Sequence, residues 1–332
     1  MRLPVEFKLR ELPHFHEHLR DFTWCMHNVG EGQERELLEH FPRVSRVFAG
    51  LSKCSQDVIM DICARMANGM CGFLTKRVES RADYDLYCHY VAGLVGHGLT
   101  RLFVAGGFED VRLLEDLSMA NHMGLFLQKT NIIRDFYEDI CEDPPRIFWP
   151  REIWEQYTDD LHHFKGEAAL QLHKEKAREC LNAMVADALV HVPHVVAYMT
   201  SLQEPTIFAF CAIPQVMAMA TLAEVFNNPA VFYSKVKITR GATCHIVVNA
   251  TTLPSALRLM RIYAQQLADR AGTNDVCYDE ITERVREAVR VMDAHLQSDD
   301  DGVTRSLLTR YPALGGRLLY SLVDNIMGYL GK

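Results

Sequence analysis

Apolar residues return every three or four positions along most of this chain, the spacing of helices that bury one face. One helix is predicted to open near Pro13, because a first turn has no use for the N–H that proline lacks. Another runs from Phe41-Pro42 through Val44, Val47, Phe48 and Leu51, with Asn28-Val-Gly-Glu-Gly-Gln33 as a loop between the two. Over 55–78, Val58, Ile62, Met66, Met70 and Phe73 form an apolar stripe expected in the core. Gly69 and Gly72 inside it each cost a helix about 1 kcal/mol relative to alanine, so another helix or a ligand must come close there. The next predicted helix covers 83–103. Ala92, Gly93, Gly96 and Gly98 make room along it, and Tyr87, Tyr90, Val91 and Leu94 share a face.

Further helices are predicted over 124–139, from Pro150 through Tyr157, over 165–198 with a break near Pro193, over 210–225, and as a pair within 254–295. Pro214 removes a backbone donor from the strongly apolar 210–225 run and bends it, which is expected to open Gln215 to a cavity. The fold class is therefore all-α. Residues 1–297 read as one domain, and Ser298-Asp-Asp-Asp-Gly302 opens a polar linker and C-terminal tail, 298–332. Arg317, Asp324 and Asn325 interrupt that tail, which lacks the roughly 20 continuous apolar residues of a membrane span and supports interfacial attachment at most.

The 124–139 stretch is unusual in its polar residues. At about 100° per residue, Gln128, Asn131, Asp135 and Asp139 fall within an arc of roughly 80°, and Leu125, Ile132, Ile133 and Phe136 cover the next sector. A solvated face ordinarily carries Lys and Glu. Two amides and two short carboxylates on a helix that also bears Phe126, Leu127 and Tyr137 read instead as a buried polar seam. Burying uncompensated carboxylates is costly, so the seam is expected to face a water-filled cleft, a metal ion or both. Asp135, Glu138 and Asp139 spell D-x-x-E-D over one helical turn. These hard oxygens suit Mg²⁺ shared with a diphosphate, since that ion takes one or two carboxylates and keeps its other positions for water and phosphate. The cluster also reads as a plain acidic helix end before Pro144-Pro145, and the spacing alone leaves both readings open.

Composition narrows the setting. With 48% apolar content, 332 residues can bury a sizeable core. The net charge is −8, with 35 Lys and Arg scattered against 43 Asp and Glu, which argues against a nucleic-acid partner. Phosphate binding must then rest on local cations. Lys235, Lys237 and Arg240 form one such patch, readable as a phosphate site or as a solvated turn. The 10 cysteines include no C-x-x-C pair and sit mostly in apolar helical patterns, so free buried thiols in a reducing compartment are expected. The N-terminus lacks the apolar core of a signal peptide, and the domain is expected to face the cytosol. His14 and His18 would share a helix face but have no acidic or thiolate ligand beside them, so they read as surface histidines.

Three stretches in order, Tyr87-Cys-His-Tyr-Val-Ala-Gly-Leu-Val-Gly96, Gly124-Leu-Phe-Leu-Gln-Lys-Thr-Asn-Ile-Ile-Arg-Asp-Phe-Tyr-Glu-Asp139 and Phe210-Cys-Ala-Ile-Pro-Gln-Val-Met217, closely resemble the squalene synthase family of farnesyl-diphosphate farnesyltransferases. Phe148-Trp149-Pro150 and Val236-Lys237-Ile238 extend the likeness, which runs to about Thr252 and weakens beyond it. The resemblance implies the helical isoprenoid (class I terpenoid) synthase fold. It implies head-to-head condensation of two farnesyl diphosphates to presqualene diphosphate, then reduction by NADPH to squalene, in sterol biosynthesis. By the same resemblance Asp135, Glu138 and Asp139 hold Mg²⁺ against a diphosphate that Gln128, Asn131 and Arg134 orient. Tyr90 moves the proton, with Tyr87 beside it. Phe210 contacts the cationic intermediate, Gln215 lines the same pocket, and Lys237 and Arg240 belong to a segment associated with NADPH. A monomer at the endoplasmic reticulum membrane, with its catalytic domain toward the cytosol, is expected.

Family members carry a first D-x-x-E-D motif on an upstream helix, and this chain has no equivalent. The fold is therefore expected to be incomplete at the N-terminus and the chain as given inactive, because diphosphate departure needs positive charge held from two sides. The rival readings are a phytoene-type prenyl synthase, which stops without NADPH, and a non-catalytic helical scaffold.

Overall fold

A computed structural model of the chain describes residues 3–273 and 275–297. Among these residues the secondary structure is helical with no strand, as the apolar spacing predicts. The described residues divide into two compact units, one up to Gly124 and one from Leu125 onward. The expectations for 298–332 lie outside the described residues.

The first unit opens with α1 (Val5–Glu11) and a 3₁₀ helix, Leu12–Arg20, that has Pro13 in its first turn. It continues through α2 (Gly32–Glu39), α3 (Phe41–Ala49), α4 (Lys53–Phe73), α5 (Arg81–Cys88), α6 (Leu94–Ala105) and the opening turns of α7 (Ser118–Arg134). Leu19, Phe41 and Phe48 form a small core flanked by Phe15 and Trp24. His18 stacks on Trp24 with ring centroids 4.0 Å apart, so it is a packing residue; His14 stays on the surface beside Glu17. Helix α4 starts earlier than its apolar stripe because the Ser52 side chain accepts the Ser55 N–H as an N-cap. Its buried face holds Val58, Ile62, Ala67 and Gly69, whereas Met70, expected in the core, is 39% exposed.

Gly69 has a specific neighbour: a Cβ there would lie 2.1 Å from the Tyr90 ring, whereas one at Gly72 would meet nothing within 4 Å. The close approach anticipated at this pair of glycines is thus an aromatic side chain, and only at the first of them. Tighter still, a Cβ at Gly96 would sit 2.2 Å from the Ala120 carbonyl oxygen, a backbone atom that cannot rotate away. Gly96→Ala is therefore expected to destabilise the unit even though alanine is the better helix former by about 1 kcal/mol. The net loss should be about 1–3 kcal/mol, the range of overpacking. Gly72→Ala should be neutral or stabilising, and urea unfolding of the two variants checks the contrast.

The single helix predicted over 83–103 is α5 and α6 joined by a π-helical turn, His89–Gly93, closed by the Leu94 N–H donating to the His89 carbonyl five residues back. Such turns gather at functional sites, and Tyr90 is the second residue of this one.

The second unit contains the rest of α7, then α8 (Phe136–Ile140), α9 (Arg151–Trp154), α10 (Glu167–Leu189), α11 (Val192–Ser201), α12 (Pro205–Val225), α13 (Arg240–Asn249), α14 (Leu253–Arg270) and α15 (Tyr278–Gln297). Helix α14 packs on both α12 and α15, and α10 packs on α15. The break expected near Pro193 falls between α10 and α11, with Pro193 in the first turn of α11. Pro214 does not interrupt α12, and Gln215 is 1% exposed, so the expected opening of Gln215 to a cavity is replaced by enclosure in the core. Two stretches, Glu167–Ser201 and Pro205–Val225, are long and apolar enough to cross a membrane, but 78% and 72% of their apolar windows are buried inside the protein. They pack as core helices. All ten cysteines are free, yet only Cys88, Cys180 and Cys277 are buried, which corrects the expectation of mostly buried thiols.

Candidate functional site

In the first unit Tyr90 lies over Gly69, its ring 6.4 Å from that of Phe73, which in turn meets the Tyr87 ring at 5.3 Å. Both tyrosines are half-buried, so their hydroxyls belong to a partly open aromatic wall, as the shared helix face predicts. His89 Nδ1 lies 2.7 Å from Asn121 Oδ1, and the His97 ring is 5.6 Å from that of His89. Burial, then the neighbouring His89, holds the His97 imidazole below the usual histidine range.

In the second unit the polar seam is present, but the helix bearing it is bent. Helix α7 ends at Arg134, and Asp135, with φ −90° and ψ 11°, joins it to α8. The hydrogen-bond ladder still passes through the bend: the Asp135 N–H donates to the Asn131 carbonyl at 2.9 Å and the Asp139 N–H to the Asp135 carbonyl at 3.0 Å. Gln128, Asn131, Asp135 and Asp139 are all half-buried, while Leu125, Phe126, Ile132, Ile133 and Phe136 are buried. The seam faces a partly open space rather than bulk solvent.

Each carboxylate of D-x-x-E-D has its own cation. The Arg134 side chain, 5% exposed, grips Asp135 with two hydrogen bonds of 2.8 and 2.7 Å. Its guanidinium is thus committed to a protein carboxylate. Lys235 reaches both Glu138 oxygens at 2.9 and 2.7 Å. Arg146 Nη2 lies 2.9 Å from Asp139 Oδ1, its backbone N–H donates to the Asp139 carbonyl at 2.9 Å, and it also pairs with Glu142. Lys235 belongs to the basic patch legible in the sequence, but its pairing with Glu138 was not legible there, and nothing in the sequence singles out Arg146 as a partner of Asp139. The Pro144-Pro145 breaker signals only that the helix stops; there the chain turns back and returns Arg146 to the acidic helix end.

Asp135, Glu138, Asp139 and Glu142 are thus gathered with Arg134, Arg146 and Lys235 at one helix end. Burial pushes the Asp139 carboxyl up to about 6; Arg146 opposes the shift, and Asp135, Glu142 and Glu138 add to it. A divalent cation would relieve this strain. Among the described residues, no group of three or more His, Cys, Asp or Glu is gathered so as to hold a metal by itself. Mg²⁺ ordinarily takes only one or two carboxylates together with water and phosphate, so Asp135 and Asp139 are the residues here that could hold it. Beside the cluster a shallow open groove is lined by Ile132, Phe136, Asp139, Arg146, Ile147 and Trp149. Trp149 is the packing anchor expected of it, 2% exposed, with its indole N–H donating to the Ile132 carbonyl at 3.3 Å.

Phe210 is half-buried on α12. Lys237 and Arg240 are exposed, and Arg240 begins α13, whose N-cap Thr239 accepts the Ala242 N–H at 3.1 Å. Of the basic patch, Lys235 is the member that reaches the acidic cluster.

The Squalene/phytoene synthase family model matches residues 3–242. The chain belongs to the squalene/phytoene synthase family. Squalene synthase of Bos taurus is 43% identical over 277 residues, covering 83% of this chain and 65% of that protein. Squalene synthase of Homo sapiens is 44% identical over 275 residues, covering 83% and 64%. The solved structure of TcSQS in complex with the ligand E5700 is 66% identical, with a TM-score of 0.86 over 89% of this chain and 85% of that one. The chain spans just under two thirds of the length of these two curated relatives. Its all-α architecture is the helical isoprenoid synthase fold of the squalene/phytoene synthase family, as the three motifs imply.

Proposed function

We propose that this chain carries the machinery of squalene synthase, which joins two farnesyl diphosphates into presqualene diphosphate and reduces that with NADPH to squalene in sterol biosynthesis. The observation that carries the reading is the half-buried acidic edge at the α7–α8 bend, with the Asp139 carboxyl pushed up to about 6. Asp135 and Asp139, with Glu138, are the residues that would hold Mg²⁺ there. Bound Mg²⁺ neutralises the charge that builds on a departing diphosphate. Arg134 keeps Asp135 in its setting, and Gln128 and Asn131 on the same edge hydrogen-bond phosphate oxygens. Arg146 and Lys235 can trade a carboxylate for a phosphate partner, since both make charge-assisted bonds with either.

Tyr90 moves the proton of the first half-reaction, and Tyr87 with Phe73 forms apolar wall for an isoprenoid chain. Phe210 offers its aromatic face to the cationic intermediate, and Gln215 supports that wall from inside the core. Lys237, exposed just before α13, and Arg240, exposed at its first residue, suit the phosphates of NADPH, which supplies the hydride of the second half-reaction. The enzyme acts as a monomer at the cytosolic face of the endoplasmic reticulum membrane.

The test is incubation with labelled farnesyl diphosphate and Mg²⁺, together with binding of its unreactive thiolodiphosphate analogue. Mg²⁺-dependent binding is expected, and presqualene diphosphate without NADPH with squalene in its presence would set aside the inactivity expected from the lack of a first D-x-x-E-D motif. A chain that neither binds nor turns over would overturn the reading, and a product indifferent to NADPH would point to phytoene-type chemistry.

A further inference from the structure

Helix α7 is held from behind by a charge pair that the reaction chemistry does not use. Lys129 Nζ lies 2.7 Å from Asp187 Oδ2 on α10, with the two side chains 2% and 6% exposed. Asp187 sits in the stretch of α10 from Cys180 to Leu189, every residue of which is buried. At about 100° per residue Lys129 points roughly 120° away from the seam of Gln128, Asn131 and Asp135, so it does not share their edge.

A buried ion pair is a poor source of stability. Desolvation of both charges offsets most of their attraction, and replacing the pair by apolar residues is often neutral or stabilising. What such a pair supplies is a single permitted geometry. The apolar side chains around α7, among them Leu125, Phe126 and Ile133, are buried to 3% or less and bind without direction. A small rotation of the helix would bury the same area but tear the ammonium from its carboxylate. We propose that the Lys129–Asp187 pair is the positioning device of the acidic site: it fixes the rotation of α7 about its axis, and with it the direction in which Gln128, Asn131 and Asp135 face a diphosphate. The proposal rests on the reading of that edge as the diphosphate site.

The test compares the chain with Lys129→Met/Asp187→Val, which removes both charges and leaves neither buried alone, and with Lys129→Arg, which keeps the charges but changes their reach. Thermal melting, calorimetric binding of inorganic diphosphate with Mg²⁺, KM and kcat, and amide hydrogen exchange over 128–139 are read for each. A melting temperature equal to or above that of the parent, diphosphate affinity and KM at least tenfold worse, and faster exchange over 128–139 are expected of the double variant. Lys129→Arg should fold normally and lose affinity to a smaller degree. Parent-like affinity, KM and exchange in a folded double variant would overturn the proposal. If the double variant does not fold, parent-like behaviour of Lys129→Arg overturns it instead. If the parent itself binds no diphosphate, the diphosphate reading fails, and unchanged exchange over 128–139 separately decides against the positioning role.

Discussion

Asp139→Asn is expected to yield a protein that is more stable at pH 7.5 and has lost turnover. The Asp139 carboxyl titrates at about 6 in the folded chain against an ordinary 3.8, chiefly through burial. A raised carboxylate pKa means that the folded state favours the protonated form. Its contribution to stability is complete below about pH 4 and is lost as pH rises through about 6. Above that range the charged group costs the folded state up to about 3 kcal/mol, because each tenfold change in proton affinity between the folded and unfolded chain is worth roughly 1.4 kcal/mol. An amide of nearly the same shape carries no such cost, and Arg146 keeps its contact with Glu142. Melting temperature should rise by several degrees at pH 7.5 and change little at pH 4, because a protonated carboxyl and an amide are electrically alike. Turnover should fall on the order of 10²–10³-fold, the scale of losing one preorganised charge contact at a reacting centre. Melting at both pH values and squalene formation at saturating Mg²⁺ check the two halves separately. Near-normal turnover would remove Asp139 from the metal site, and an equal shift in melting at both pH values would refute the burial argument.

Tyr90→Phe is expected to stop the first half-reaction with little effect on the fold. The ring that fills the space over Gly69 is retained, so stability should change by no more than the loss of one hydrogen bond, about 1 kcal/mol. A positioned acid or base contributes on the order of 10²–10⁴ in rate, and presqualene diphosphate formation should drop by that factor. Tyr87→Phe should be much milder. Gly69→Ala is the complementary change: the hydroxyl stays, but the new Cβ would meet the Tyr90 ring at 2.1 Å and push it aside. If Gly69→Ala is slow while Tyr90→Phe makes presqualene diphosphate at the parent rate, the ring matters through packing and the proton role is refuted.

Helices α1, α2 and α13 were not legible in the sequence, whereas the all-α architecture, most of the longer helices and the polar edge of Gln128, Asn131, Asp135 and Asp139 were. They rest on local rules: an apolar return every 3.6 residues, the chemistry of each side chain and its angle round a helix. Gly69 was legible as a place of close approach, because its helix cost demanded a reason, but the same argument failed at Gly72, and Gly96 was legible only as one of several small residues that make room. The partners were not legible. Lys235 meets Glu138 across 97 positions of sequence and Lys129 meets Asp187 across 58, and no periodicity relates residues that far apart. Arg146 comes to Asp139 only because the loop after α8 folds back onto it. The bend at Asp135 was hidden because the i→i−4 ladder survives it, so the apolar spacing on either side is undisturbed. The π-helical turn at Tyr90 was hidden for a related reason, since one widened turn inside a long periodic run scarcely moves the pattern. The enclosure of Gln215 and the raised pKa of Asp139 depend on which helices cover those residues. Desolvation is a property of the packed surroundings, so tertiary structure alone decided whether these polar groups face solvent, a ligand or the core.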